Sequence, residues 1–178
     1  MNVHIPKIYF FINELNKDYI RNLKKNIAII YRNYDKKIDL RKLIEFKKIC
    51  KKNKRYFYLA NYPKIAAKLG MDGVYIPAFN RKINLVYFKK KNFLIIGSAH
   101  TIPEIRIKEK QNVSCIFLSP LFLTNKSNKY LGINKFKKLS NETDRKIIAL
   151  GGLRKNNLNK LKILNIYGFA SISLFEKD

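Results

Sequence analysis

Tryptophan is absent from this chain, and cysteine, histidine and acidic residues are scarce. The 178 residues include no Trp, two Cys, two His, five Pro and seven Gly. Cys50 and Cys115 form no C-x-x-C pair and lie far apart, which excludes a disulfide framework and a cysteine zinc site. The low Gly and Pro content leaves no linker-like stretch, so residues 1–178 read as one compact domain. No apolar run approaches the roughly 18 residues of a membrane span. Met1–Lys7 lacks the charged start and apolar core of a signal peptide. The expectation is a cytoplasmic protein with no membrane partner.

Acidic residues number 12 against 38 Lys and Arg, a net charge of +26. Three readings compete for this excess. A nucleic-acid surface would gather cations on one face with aromatics between them. An anionic small substrate needs only a few cations at a site mouth. The third reading is drift in composition, since Lys, Asn and Ile are all abundant, as AT-rich coding produces. The lysines recur along nearly every helical stretch, such as Lys47, Lys48, Lys51, Lys52 and Lys54, or Lys135, Lys137 and Lys138. That spread favours drift with an anionic substrate added, and no specific nucleic-acid partner.

What the chain does have is rhythm. Eight short apolar runs recur every 20 to 30 residues or so: Lys7–Ile12, Asn26–Arg32, Arg55–Asn61, Gly73–Pro77, Phe93–His100, Cys115–Pro120, Lys146–Gly152 and Phe169–Phe175. Polar stretches with helical spacing separate most of them. This is the βα alternation of a parallel sheet, and eight repeats predict a closed (β/α)8 TIM barrel. The spacing leaves little slack, because about 250 residues is typical of that fold. Only Glu176–Asp178 follow the last run, so the eighth helix is predicted to be missing. An apolar flank left open there would favour a homo-oligomer.

Several helix starts are marked. Asp39 is an N-cap candidate before Leu40, Leu43, Ile44 and Phe46. Thr101-Ile102-Pro103-Glu104 reads as a capping box. Asn156 or Asn157 can cap the stretch carrying Leu158, Leu161 and Leu164. Arg81–Lys91, where the fourth helix belongs, has no clear pattern.

Barrel sites form at the C-terminal strand ends. There the chain places Asn13, Arg32, Asn61, Asn80, Ser98 with His100, Ser119, the loop Thr124–Ser127, Gly151-Gly152, and Ser171 with Ser173. Gly151-Gly152 after the seventh run lets backbone N–H groups approach an anion, or is simply a tight turn. His100 can move protons near neutral pH, or serve its neighbouring loop structurally. Arg32 can bind a phosphate or carboxylate, or pair with a carboxylate within the barrel. Carboxylates are scarce at this face, so no paired set for Mg²⁺ emerges.

Five stretches in register resemble the thiamin phosphate synthase / TenI family. Ile29–Arg32 resembles its strand-two motif ending in Arg. Met71–Ile76 resembles "ADGVHL", Ile95–His100 a shortened "IIGVSVH", and Ser119–Thr124 "GPVFPT". Ala149–Leu153 resembles "AIGGI", and Gly168–Leu174 the "GADGVAVIS" end. The resemblance implies Gly151, Gly152, Ser171 and Ser173 as a phosphate cradle, with Arg32, Asn61, Ser98 and Thr124 as substrate contacts. It also brings departures. The synthases' two Mg²⁺ carboxylates are replaced by Tyr62 and Asn80. Ile30 and Tyr34 replace a Gln and a Lys, and Ser127 replaces the strand-six lysine, with Lys126 and Lys129 beside it.

The retained pieces suit a thiazole phosphate. They imply a TenI-like tautomerase with His100 as acid/base. The alternative is a divergent synthase joining aminopyrimidine diphosphate to thiazole phosphate, with Mg²⁺ needed only in that case. A further alternative is a non-catalytic phosphate-binding barrel.

Overall fold

The computed structural model describes residues 4–21, 23–34, 37–85, 92–125 and 128–175. Eight parallel strands close a barrel in chain order. They are β1 (Ile8–Ile12), β2 (Ile27–Tyr31), β3 (Phe57–Ala60), β4 (Gly73–Ile76), β5 (Leu94–Ala99), β6 (Cys115–Leu118), β7 (Lys146–Leu150) and β8 (Gly168–Ser171). The helices outside are α1 (Asp18–Arg21), α2 (Leu40–Lys52), α3 (Pro63–Lys68), α4 (Ile102–Lys110) and α5 (Gly132–Ser140), with a 3₁₀ helix at Lys155–Ile163. The expected TIM barrel is therefore present. Cys50 and Cys115 are both free and buried. Among the described residues, no helix is long and apolar enough to cross a membrane.

The strands read as continuous apolar runs because both of their faces are covered. One alternate set, including Phe10, Ile29, Leu59, Val74, Ile95 and Ile116, packs under the helices. The other set fills the barrel with rings. Tyr9 meets Phe117 edge-on at 4.9 Å, Phe11 meets Tyr75 at 5.1 Å, and Tyr75 meets Phe117 at 5.4 Å. Below them Arg55 is buried, and its guanidinium donates to the carbonyls of Ile20, Leu23, Lys24 and Ile27. It thereby ties the end of α1 to the start of β3.

Several local expectations need correction. The first strand ends with its apolar run at Ile12, the next six stop one or two residues before theirs, and the last stops four early, at Ser171. There the Ser171 hydroxyl accepts the Leu174 N–H and turns the chain into a short 3₁₀ turn, Ser173–Phe175. No eighth helix is present in the described residues, yet the flank is not bare. Phe175 lies against Phe10 at 5.5 Å and Phe169 at 6.5 Å, and Tyr19 covers Phe10 from α1.

The segment after β7 winds as 3₁₀ because KNNLNKLKI is rich in Asn, a poor helix former. Asn157 does not cap it through the N-terminal N–H groups. Its Oδ1 accepts from Arg154 N–H, and its Nδ2 donates to Gly152 O. Asp39 does cap α2, accepting from the N–H groups of Arg41 and Lys42. Thr101 caps α4 loosely at 3.4 Å, but Glu104 reaches one residue further back and accepts from His100 N–H at 2.6 Å. Residues 81–85 form neither helix nor strand, with a turn at 84–85, and the rest of the ambiguous stretch lies outside the described residues.

Closure depends on β8 lying against β1. Gly168 makes this possible, since an added Cβ would sit 1.9 Å from Lys7 O. Gly168→Ala is therefore expected to cost about 2–3 kcal/mol. The urea midpoint of unfolding would measure it, and an unchanged midpoint would show that the seam can relax.

Candidate active site

Side chains alternate along a strand, so the inward set can be extended past each strand end. Phe11, Ile30, Ile96, Phe117 and Ala170 face inward. The next members of that series are Asn13, Arg32, Ser98 with His100, Ser119 and Ile172. These residues sit directly on the aromatic floor. Arg32 lies over the Phe11 ring at 5.9 Å, and its Nε donates to Asn13 Oδ1 at 3.1 Å. Its partner is thus a neutral amide and not a carboxylate, which leaves its charge available to an anion. Ser98 is buried beside Tyr75, whose phenol burial pushes up to about 12.

His100 is exposed at the mouth, with Nδ1 placed 2.7 Å from Ser119 O and 3.2 Å from Ser119 Oγ. A carbonyl can only accept, so Nδ1 carries the proton and Nε2 is left as the basic nitrogen. The structural and the acid/base readings of this residue are therefore compatible.

The loops after β6, β7 and β8 enclose a cavity of about 740 Å³. Thr124, Gly151, Gly152, Ser171 and Ser173 line it, with Arg154 and Lys155 at the edge. Gly151 and Gly152 have φ of +97° and +67°. Their turn is pinned from one side: Leu121 N–H donates to Leu150 O, and Phe122 N–H donates to Gly151 O. Peptide planarity then puts the N–H groups of Gly151 and Gly152 on the opposite side of the chain. Successive N–H groups aimed one way form an anion-binding concavity. Ser171 faces away from the barrel axis. Its oxygen accepts from Leu174 N–H, but its hydroxyl proton remains available to donate.

A second cavity, of about 570 Å³, lies between the loops after β3 and β4. Asn80 Nδ2 donates to Asn61 Oδ1 at 2.7 Å, and Asn80 Oδ1 accepts from Lys82 N–H at 3.0 Å. The backbone N–H can only donate, and this fixes both amide orientations. Tyr62 packs on the outer core.

Sequence reasoning did not single out the support behind this loop. Lys108 is fully buried, and its Nζ donates to Pro77 O, Asn80 O and Gln111 Oε1 at 2.8–3.0 Å. Gln111 in turn donates to Asn80 O and Lys82 O. The available signal was a lysine three residues after Ile105, on the buried face of α4. The Tyr34–Phe79 ring pair at the mouth, 5.4 Å apart, was also unforeseen. Lys126 and Ser127 lie outside the described residues.

A family model described as thiamine monophosphate synthase matches residues 18–175. The chain belongs to the thiamine monophosphate synthase family. It is 29% identical over 186 residues to a protein of Aquifex aeolicus named "Putative thiamine-phosphate synthase 2", covering 97% of this chain and 99% of that one. It is 30% identical over 166 residues to a thiamine-phosphate synthase of Prochlorococcus marinus, covering 90% of this chain but only 48% of that protein. The structure of thiamine phosphate pyrophosphorylase from Pyrococcus furiosus shares the fold, with a TM-score of 0.74 at 18% identity, covering 97% of this chain and 89% of that one. Names in the family thus favour the synthase alternative over the tautomerase expectation.

The residues at the family's metal position do not fit Mg²⁺. That ion is held by carboxylates, and here the two positions carry Tyr62, packed on the outer core, and Asn80, whose Oδ1 already accepts from Lys82 N–H. Among the described residues, no group of three or more His, Cys, Asp or Glu could hold a metal.

Burial pulls the Lys108 ammonium down from 10.5 to about 8, partly opposed by Glu104. Between those values the unfolded chain binds more protons than the folded one. The contribution of Lys108 to stability therefore grows as pH rises from 8 to 10.5 and is lost as pH falls through about 8. Lys108→Met leaves buried carbonyls unpaired and should cost about 3 kcal/mol at neutral pH. Its deficit should widen at pH 9.5. Denaturant unfolding at both pH values tests this, and a constant deficit would contradict the assigned titration.

Proposed function

We propose that this chain forms thiamin phosphate from an aminopyrimidine diphosphate and a thiazole phosphate. The observation that carries the reading is the main-chain concavity at Gly151-Gly152, facing Ser171 and Ser173 across the cavity at strands β7 and β8. That is the usual phosphate position of a barrel enzyme. It suits a thiazole phosphate, with Thr124 beside it. In the reaction, the carbon–oxygen bond to diphosphate breaks and its electron pair leaves with the diphosphate. The thiazole nitrogen supplies the pair for the new carbon–nitrogen bond. Two anions must therefore be held at one mouth, and the chain has two cavities on that rim. Arg32, Ser98 and Asn61 are the substrate contacts between them. Closeness of the two bound substrates would supply much of the rate.

We place the reaction in the cytoplasm. A homo-oligomer remains our expectation, although Phe175 covers part of the flank that suggested it.

One observation favours a second reading, tautomerisation of a thiazole carboxylate phosphate. His100 is held through Nδ1, so Nε2 is free to take and return a proton.

Purified protein supplied with both synthase substrates should give thiamin phosphate. No product in either Mg²⁺ or EDTA would overturn the synthase reading. A thiazole carboxylate turned over by wild type but not by His100→Ala would then establish the second. The cradle itself is testable separately. A Cβ at residue 152 would lie 2.4 Å from Leu123 O and 2.5 Å from Phe122 O. Gly152→Ala should weaken thiazole phosphate binding at least about tenfold, or about 1.4 kcal/mol. Calorimetric titration with an unchanged affinity would place the phosphate elsewhere.

A further inference from the structure

The cavity between the β3 and β4 loops is built for a negative charge. Among the described residues its lining includes three cations, Lys64, Arg81 and Lys82, and no carboxylate. The Asn61 and Asn80 oxygens are taken up by hydrogen bonds, so what these side chains still offer is N–H. Behind Asn80 stands the buried Lys108 ammonium, 3.0 Å from its carbonyl oxygen. A bare dication at this point would face four positive groups and no neutralising one. An anion there would meet the amide N–H donors and the three cations, beside the apolar side chains of Ile65, Phe79 and Leu85.

We infer that this cavity binds a diphosphate group directly through Lys64, Arg81 and Lys82 and the Asn61–Asn80 amides, with no divalent metal. The inference rests on the synthase reading only for the molecule that brings the diphosphate. Lys108 and Gln111 are positioning residues: by gripping the carbonyls of Pro77, Asn80 and Lys82 they fix the loop that carries two of the three cations. Arg81 suits the role because its planar fork can take two phosphate oxygens at once. The cations are exposed, so affinity should fall as salt rises.

The probe is inorganic pyrophosphate, titrated calorimetrically into the full chain in EDTA and again in Mg²⁺. Binding in EDTA at least as tight as in Mg²⁺ is expected. The double variant Arg81→Ala/Lys82→Ala should weaken it at least about tenfold. Lys137→Ala/Lys138→Ala removes the same charge from the exposed face of α5 and should leave affinity unchanged. Circular dichroism would verify that both variants fold.

Binding that requires Mg²⁺ would overturn the inference. So would an equal loss in the two double variants, which would mean attraction to net charge alone. So would an affinity untouched by Arg81→Ala/Lys82→Ala. The synthase reading is judged separately, by thiamin phosphate formation. Metal-free pyrophosphate binding without that product would remove the synthase and keep this subsite. Product formation with pyrophosphate binding only in Mg²⁺ would do the reverse.

Discussion

Strands of four to six residues leave room for little more than two layers of side chains inside the barrel. The rest of the molecule depends on how that space is filled. Barrels of this kind mostly use branched aliphatic residues. This one uses Tyr9, Phe11, Tyr58, Tyr75 and Phe117. Large rings fill a short barrel with few residues, and their edge-to-face contacts add to the burial. They also bring the floor close to the mouth. Arg32 rests on Phe11, and Ser98 on Tyr75, with no intervening layer. The residues at the mouth are therefore positioned by the same packing that holds the strands together.

Two chemistries share the rim above that floor. At β7 and β8 the main-chain amides of Gly151 and Gly152 are held by the adjoining loop. At β3 and β4 polar side chains stand on a loop held from behind by the buried Lys108. On the proposed reading both serve anions, which would give the chain's net charge a local use at the mouth. Most of its lysines nevertheless lie on outer helix faces, as drift in composition would place them.

The architecture was legible because fully covered parallel strands leave continuous apolar runs, and eight such runs imply closure. The strand ends were less legible. Arg32 and Asn61 give one last N–H each to the neighbouring strand, to Ile12 O and Tyr75 O, while Pro77 and His100 extend the apolar runs past the strand ends. Ser171–Phe175 alternates like a strand, and only the bond from Leu174 N–H to the Ser171 hydroxyl ends it. Position alone found the mouth residues, because inward parity continues past the strands. It left His100 undecided, since which ring nitrogen is free depends on a contact 19 residues away. Lys108 was hidden among 38 basic residues. Nothing but its register with Ile105 and Gln111 distinguishes it, and two of its three partners are backbone carbonyls that no sequence pattern reveals.

The Gly151-Gly152 concavity stores its specificity in the path of the backbone. Exchange of one side chain for another has almost nothing to act on there. Only the absence of two β-carbons must be preserved. A site formed this way tolerates extensive change in the surrounding side chains, because the atoms that make it belong to the main chain.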